Sequence, residues 1–228
     1  MKAIGKDFGD VARKTYAVAS GALGNGNTCV VNTDGTVSVV AGNDDSLGSV
    51  GVFSSSNVDS CSATFDSNSN RVVIVYADKS ASGSGYGTAV VGTLSGSSIS
   101  YGTPVVFDSA GEAVSPSITF DSNSNRVVIV YRVAQADTAG WAIVGTVSST
   151  AISFGSEAVF ESATARYMLR GVAFDSNSNK VVIAYMDDDD GNAGKCVVAT
   201  VSGTSISFGT AVEFAANVTA AANCVATF

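Results

Sequence analysis

The string FDSNSN occurs three times, beginning at Phe65, Phe120 and Phe174, at spacings of 55 and 54 residues. A chain that restarts itself at such a period folds into copies of one supersecondary unit, each burying a face against its neighbour. The surrounding residues keep the same phase. RVVIVY at 71–76 and 126–131 becomes KVVIAY at 180–185. GTAVVGTLSG, GWAIVGTVSS and GKCVVATVSG follow, then ISYGTPVVF, ISFGSEAVF and ISFGTAVEF. Each repeat therefore holds four β-rich runs separated by turn residues. Val, Thr and Ile favour pleated strands; Gly, Ser and Asn favour the turns between them.

The second run is apolar from Val72 to Tyr76 without a break. A strand with one wet face alternates, so this one is expected to be covered on both faces. The reading is all-β: tandem four-stranded repeats of about 54 residues, arranged as a β-propeller, with a short N-terminal arm. Tandem β-sandwiches are the runner-up, but usually need more residues per unit. A β-solenoid would have shorter coils. Gly102, Gly155 and Gly209 recur inside the fourth run, which suggests a bulge or bend there. The phases divide the chain into an arm (1–26), a shortened repeat (27–60), and three repeats (61–115, 116–169 and 170–223). Residues 224–228 follow as the first strand of another repeat or a ring-closing strand. A ring closed in that way would have about four blades. In the shortened repeat, Asp34-Gly35 signals a type I′ hairpin turn.

Composition narrows the function. The formal net charge is -8, which repels phosphate backbones and argues against nucleic-acid binding. Lys2, Lys6, Arg13 and Lys14 make the arm basic, either as an anchor on an acidic partner surface or as a solvated tail. Histidine is absent, which removes the commonest general base and metal ligand. The start of the chain lacks the apolar core of a secretory signal, and no apolar run is long enough for membrane insertion. Cys29, Cys61, Cys196 and Cys224 match no zinc spacing, so they are read as reduced and mostly buried. Cys61 and Cys224 share a phase, and equivalent sites in different repeats are too far apart to bridge.

Three residue sets could carry chemistry. The D-x-N-x-N of Asp66 and Asn68, Asp121 and Asn123, and Asp175 and Asn177 matches the opening of a calcium loop. The match then fails, because Arg71, Arg126 or Lys180 replaces the glycine and Ala77, Arg132 or Met186 replaces the closing Glu. Asp and Asn instead suit a tight structural turn. Asp187, Asp188, Asp189 and Asp190 could hold a hard cation such as calcium, or form a solvated loop tip. Tyr86, Arg132, Trp141 and Arg166 could stack on and bind a glycan; the alternative is that Trp141 fills a gap between blades. No nucleophile elbow or phosphate-binding loop occurs, and the recurring acids sit in turns, so the chain is read as no enzyme and without a cofactor.

The phrases FDSNSNRVVIVY, VGTVSSTAISFG and EAVF resemble repeats of virion proteins of marine tailed phages, of tail-fibre or head-decoration type. The segment SGALGNGNTCVVNTDGTVSVV is similar to the start of such proteins, where a short arm precedes a β domain. The resemblance covers roughly residues 61–228. It implies a structural protein on the virion surface, made in the host cytoplasm without a signal peptide. Its implied partners are other virion proteins, further copies of itself and a cell-surface glycan. A carbohydrate- or receptor-binding propeller and a secreted bacterial surface protein are the competing functions.

Overall fold

The computed structural model describes residues 2–4, 15–22, 29–39, 48–80, 85–109, 113–133, 139–162 and 171–216. Among these there is no helix, and the chain divides into two compact units, residues 1–47 and 48–228.

In the N-terminal unit, β1 (Lys2–Ile4), β2 (Thr15–Ala19), β3 (Cys29–Val31) and β4 (Thr36–Val39) form one sheet in the order β1-β2-β4-β3. The segment read as an arm thus supplies two strands, and β2 runs parallel to β4. The β3–β4 turn differs from the expected type I′. Only Gly35 has a positive φ, of 77°, whereas type I′ needs two such residues. Asp34 instead accepts hydrogen bonds from Thr36 N at 2.9 Å and Thr36 Oγ1 at 2.7 Å, which keeps Asp34 in an ordinary conformation.

The second unit contains the three repeats as three sheets. The first comprises β5 (Val58–Asp66), β6 (Arg71–Asp78), β7 (Tyr86–Ser95), β8 (Ser98–Tyr101) and β9 (Val105–Asp108). The second comprises β10 (Ala113–Asp121), β11 (Arg126–Val133), β12 (Gly140–Ser148), β13 (Ala151–Phe154) and β14 (Ala158–Glu161). The third comprises β15 (Gly171–Asp175), β16 (Lys180–Asp187), β17 (Ala193–Ser202), β18 (Ser205–Phe208) and β19 (Val212–Ala215). Each is an antiparallel meander in which the long third strand pairs with two short strands along one edge. The expected fourth strand is therefore broken in two. The break falls at the recurring glycine, whose N–H still donates to the third strand (Gly102 to Val91 O, 2.8 Å; Gly155 to Val144 O, 2.9 Å). A methyl group on Gly102 or Gly155 would fall on the carbonyl oxygen of Thr150 or Thr204 in the next sheet, so close approach rather than φ selects glycine here.

The sheets stack face to face, with β10 beside both β5 and β15. The unbroken apolar run of β11 explains itself in this setting. Val127, Ile129 and Tyr131 enter the core shared with the first sheet, beside Val73, Val75, Val91 and Phe107. Val128 and Val130 enter the core shared with the third sheet, beside Ile183, Tyr185 and Val197. All five residues from Val127 to Tyr131 are fully buried. Each such side chain contributes about 1.5–3 kcal/mol by leaving water, and the alternation of the pleat divides that gain between two interfaces.

One aromatic contact recurs at each interface. The Phe near the end of one repeat inserts between the second-strand Tyr and the fourth-run aromatic of the next. Phe107 lies 5.2 Å from Tyr131 and 5.8 Å from Phe154; Phe160 lies 5.3 Å from Tyr185 and 5.9 Å from Phe208. Ahead of the first sheet, Phe53 takes the same place against Tyr76 and Tyr101, at 5.2 and 6.1 Å. The shortened repeat of the sequence is therefore divided: its hairpin belongs to the N-terminal unit and its last run packs on the first repeat sheet.

Candidate functional site

The conserved phase of the DSNSN segment places it at the hairpin between the first two strands of every sheet. Asp66 Oδ1 accepts the backbone N–H groups of Asn68 and Ser69 at 2.9 and 3.0 Å, and Oδ2 accepts Ser69 Oγ at 2.7 Å. Asp121 repeats this with Asn123 and Ser124 at 2.9, 3.0 and 2.7 Å. Asp175 accepts Asn177 N at 2.9 Å and Ser178 Oγ at 2.6 Å, which holds its carboxyl below the usual carboxylate range. Each carboxylate thus has both oxygens engaged by its own turn. The last Asn of each turn (Asn70, Asn125, Asn179) takes a left-handed φ of 53–56°, a conformation Asn tolerates. The basic residue that follows is part of the same device. Arg71 Nη1 donates to Asn70 O at 3.0 Å, and Arg71 Nε reaches Ser149 O in the next sheet at 3.2 Å. Arg126 repeats this toward Gly203 O at 3.1 Å, whereas Lys180 turns back to Thr200 Oγ1 of its own sheet at 2.8 Å.

The acidic tetrad lies where β16 turns into β17. Asp187 is buried and accepts Asp189 N at 3.1 Å. Its other oxygen meets Lys195 Nζ at 2.7 Å, and the same ammonium lies 2.8 Å from Asp190 Oδ2. Lys195 therefore stands between two of the four carboxylates, where a bound cation would stand. Hydrogen bonds to Asp187 and Asp190 push its pKa above the ordinary lysine value. Lys195 was not singled out from sequence, although its phase, shared with Thr88 and Trp141, marks it as the one charged residue at that position. No group of three or more ligating side chains poised for a metal occurs among the described residues.

The aromatic and arginine set is spread over two sheets. Tyr86 opens β7 opposite Asp78, at the phase of Ala139 rather than of Trp141. Arg132 and Trp141 lie on the adjacent strands β11 and β12. Trp141 is half-buried against the core between the first two sheets, and its Nε1 is enclosed without a hydrogen-bond partner. Arg166 lies outside the described residues, as do Lys6, Arg13, Lys14 and Cys224; Lys2 is described only as part of β1. Cys61 is exposed rather than buried, while Cys29 and Cys196 are half-buried.

Two features were not read from the sequence. The first is the hydrogen-bonded second-strand tyrosine: Tyr131 OH donates to Glu157 at 2.6 Å and Tyr185 OH to Glu161 at 2.8 Å. Burial first, and the adjacent carboxylate second, push both phenols well above their ordinary range. The second is a pair of bulges. Ser60 and Ser115 have φ values of 46° and 50°, and the register of β5 on β6 and of β10 on β11 slips there. The bulges border a cleft of about 100 Å³ lined by Ser60, Cys61, Ser62, Ser115, Pro116 and Ser117. The bulge also accommodates Pro116, which cannot donate to a ladder. Hydroxyls and one thiol can bind water here, but supply no acid–base pair.

Comparison with known proteins returns no matching family and no matching curated relative.

Proposed function

We propose that the chain is a non-enzymatic structural protein of a virion surface, a decoration, appendage or fibre component whose repeat sheets are successive blades of a β-propeller. The observation that carries this reading is where the recurring polar side chains go. The three turn aspartates cap their own hairpins, Arg71 and Arg126 join one sheet to the next, and Tyr131 and Tyr185 are hydrogen-bonded at the inter-sheet cores. The repeat thus uses its polar groups to hold a scaffold. The blade arrangement is supported by the four-run meander, by the position of β10 between β5 and β15, and by a second strand covered on both faces. The virion setting is supported by the resemblance of the repeat phrases to phage virion proteins. In that setting the basic N-terminal residues Lys2, Lys6, Arg13 and Lys14 contact other virion proteins, and the blades face outward.

Mass spectrometry of purified particles from the source tests this reading. Its presence at a fixed copy number per particle is expected, with hundreds of copies marking a decoration and a few marking a fibre. Detection only in host-cell or secreted fractions would overturn it.

A further inference from the structure

Among the described residues, the inter-sheet interface occurs twice in full, and each of its halves occurs once more without a complete sheet against it. On the far face of the third sheet, Val198 holds the phase of Val91 and Val144. Those two are fully buried under the following sheet, yet Val198 is 46% exposed. Val212 and Phe214, at the phase of Val105 and Phe107, are 60% and 56% exposed. A methyl group on Gly209 would have no atom nearer than Val198 O at 3.6 Å, whereas its counterparts Gly102 and Gly155 are pressed by the carbonyls of Thr150 and Thr204. Lys180, at the phase of Arg71 and Arg126, turns back to its own sheet. Among the described residues, these contacts of the first and second sheets with a following sheet have no counterpart at the third.

The opposite half lies on the near face of the first sheet. Val72 and Ile74 are only half-buried, while Val127, Ile129, Val181 and Ile183 at the same phases are buried. This face carries the aromatic pair that Phe214 lacks, Tyr76 and Tyr101. Among the described residues it is covered by a strand-like segment, Gly48–Phe53, which imitates the last run of a preceding repeat. Gly48 presses on Ser97 O as Gly102 presses on Thr150 O, Tyr101 OH donates to Gly51 O at 3.3 Å, and Phe53 fills the aromatic slot. Gly209–Phe214 and Gly48–Phe53 have the same length and the same terminal residues.

We propose that the far face of the third sheet docks on the near face of the first sheet of a second copy, with Phe214 displacing Phe53 from the slot between Tyr76 and Tyr101. The occupant is fixed by continuity with the interfaces already in the molecule, which specify an aromatic slot, a turn carbonyl and a valine-rich face. A complete sheet covers Val72 and Ile74, which the single segment leaves half-wet, and it buries Val198 and Val212 in return. The contact is heterologous, so copies add head to tail into a ring or a filament. Gly48–Phe53 acts as a stopper that holds single copies apart until the exchange.

Sedimentation velocity over a concentration series tests this with three chains, each spanning all 228 residues. Gly48→Ala expels the stopper, because its methyl group meets the Ser97 carbonyl, while leaving the slot intact. Phe214→Asp places a charge on an exposed position and leaves the fold of the single copy undisturbed. Head-to-tail association is expected to strengthen at least tenfold in Gly48→Ala relative to the unaltered chain, and to vanish when Phe214→Asp is added. Two results overturn the proposal: single copies at every concentration in both the unaltered and the Gly48→Ala chains, or association that survives Phe214→Asp.

Discussion

The hairpin aspartate shows how much one residue can fix. Asp121 is buried and holds two backbone N–H groups and one hydroxyl, so its loss leaves orphaned donors in a turn that sets the register of two strands. Asp121→Ala should cost about 0.5–2 kcal/mol in urea unfolding, with or without calcium. A cost seen only with calcium present would make the turn a metal site. The repeats also compare turn residues directly. The two-residue loop between the third and fourth runs has Gly96 and Gly203 at φ of 56° and 63°, but Ser149 at 58°. Ser149→Gly should therefore raise stability by about 1 kcal/mol in the same assay, because the side chain is strained there and the backbone carbonyl that accepts Arg71 is retained. At this scale the turn was legible, since three copies of DSNSN showed which residues the backbone needs. The Lys195 pairing was not. It depends on the register that sets Asp187 opposite Ala193 and brings a lysine eight residues later back to the acids.

At the scale of the element, the second strand carries most of the information. Its apolar run announced two covered faces, and the alternation of β11 between two cores is the physical content of that signal. Its tyrosine adds a pH dependence. Burial and Glu157 push the Tyr131 phenol above its ordinary value of 10.0 in the folded protein. Below that value folded and unfolded chains both keep the proton. Above it the unfolded chain releases the proton and the folded chain does not, so stability falls as pH rises past about 10. Tyr131→Phe should shift the alkaline unfolding transition upward, followed by circular dichroism; an unchanged transition would show that the tyrosine does not carry it. Glu157 is exposed and loses little with its donor. The split of the fourth run was only half legible. The recurring glycine marked a bend, but what excludes a side chain at Gly102 and Gly155 is the turn of the neighbouring sheet, which no single repeat contains. The strands β1 and β2 were missed because their short runs occur once and in no repeated phase.

For the whole molecule, the account rests on serial interfaces between like sheets, with one Phe per repeat as the plug. The repeat period made this architecture readable, because equal phases must have equal surroundings. The exposure of the third sheet's far face was not readable, since Val198 looks in sequence like Val91 and Val144 yet is 46% exposed where they are buried. Neighbours on one strand provide the most direct test. Phe107 is buried in the aromatic slot of the second sheet, while Val106 beside it is 47% exposed on the opposite side of β9. The measurement is equilibrium unfolding of Phe107→Ala and Val106→Ala. The stacked arrangement predicts a loss of about 3–5 kcal/mol for Phe107→Ala and within about 0.5 kcal/mol of no change for Val106→Ala. Equal losses, or a larger loss for Val106→Ala, would contradict the register and the interface together.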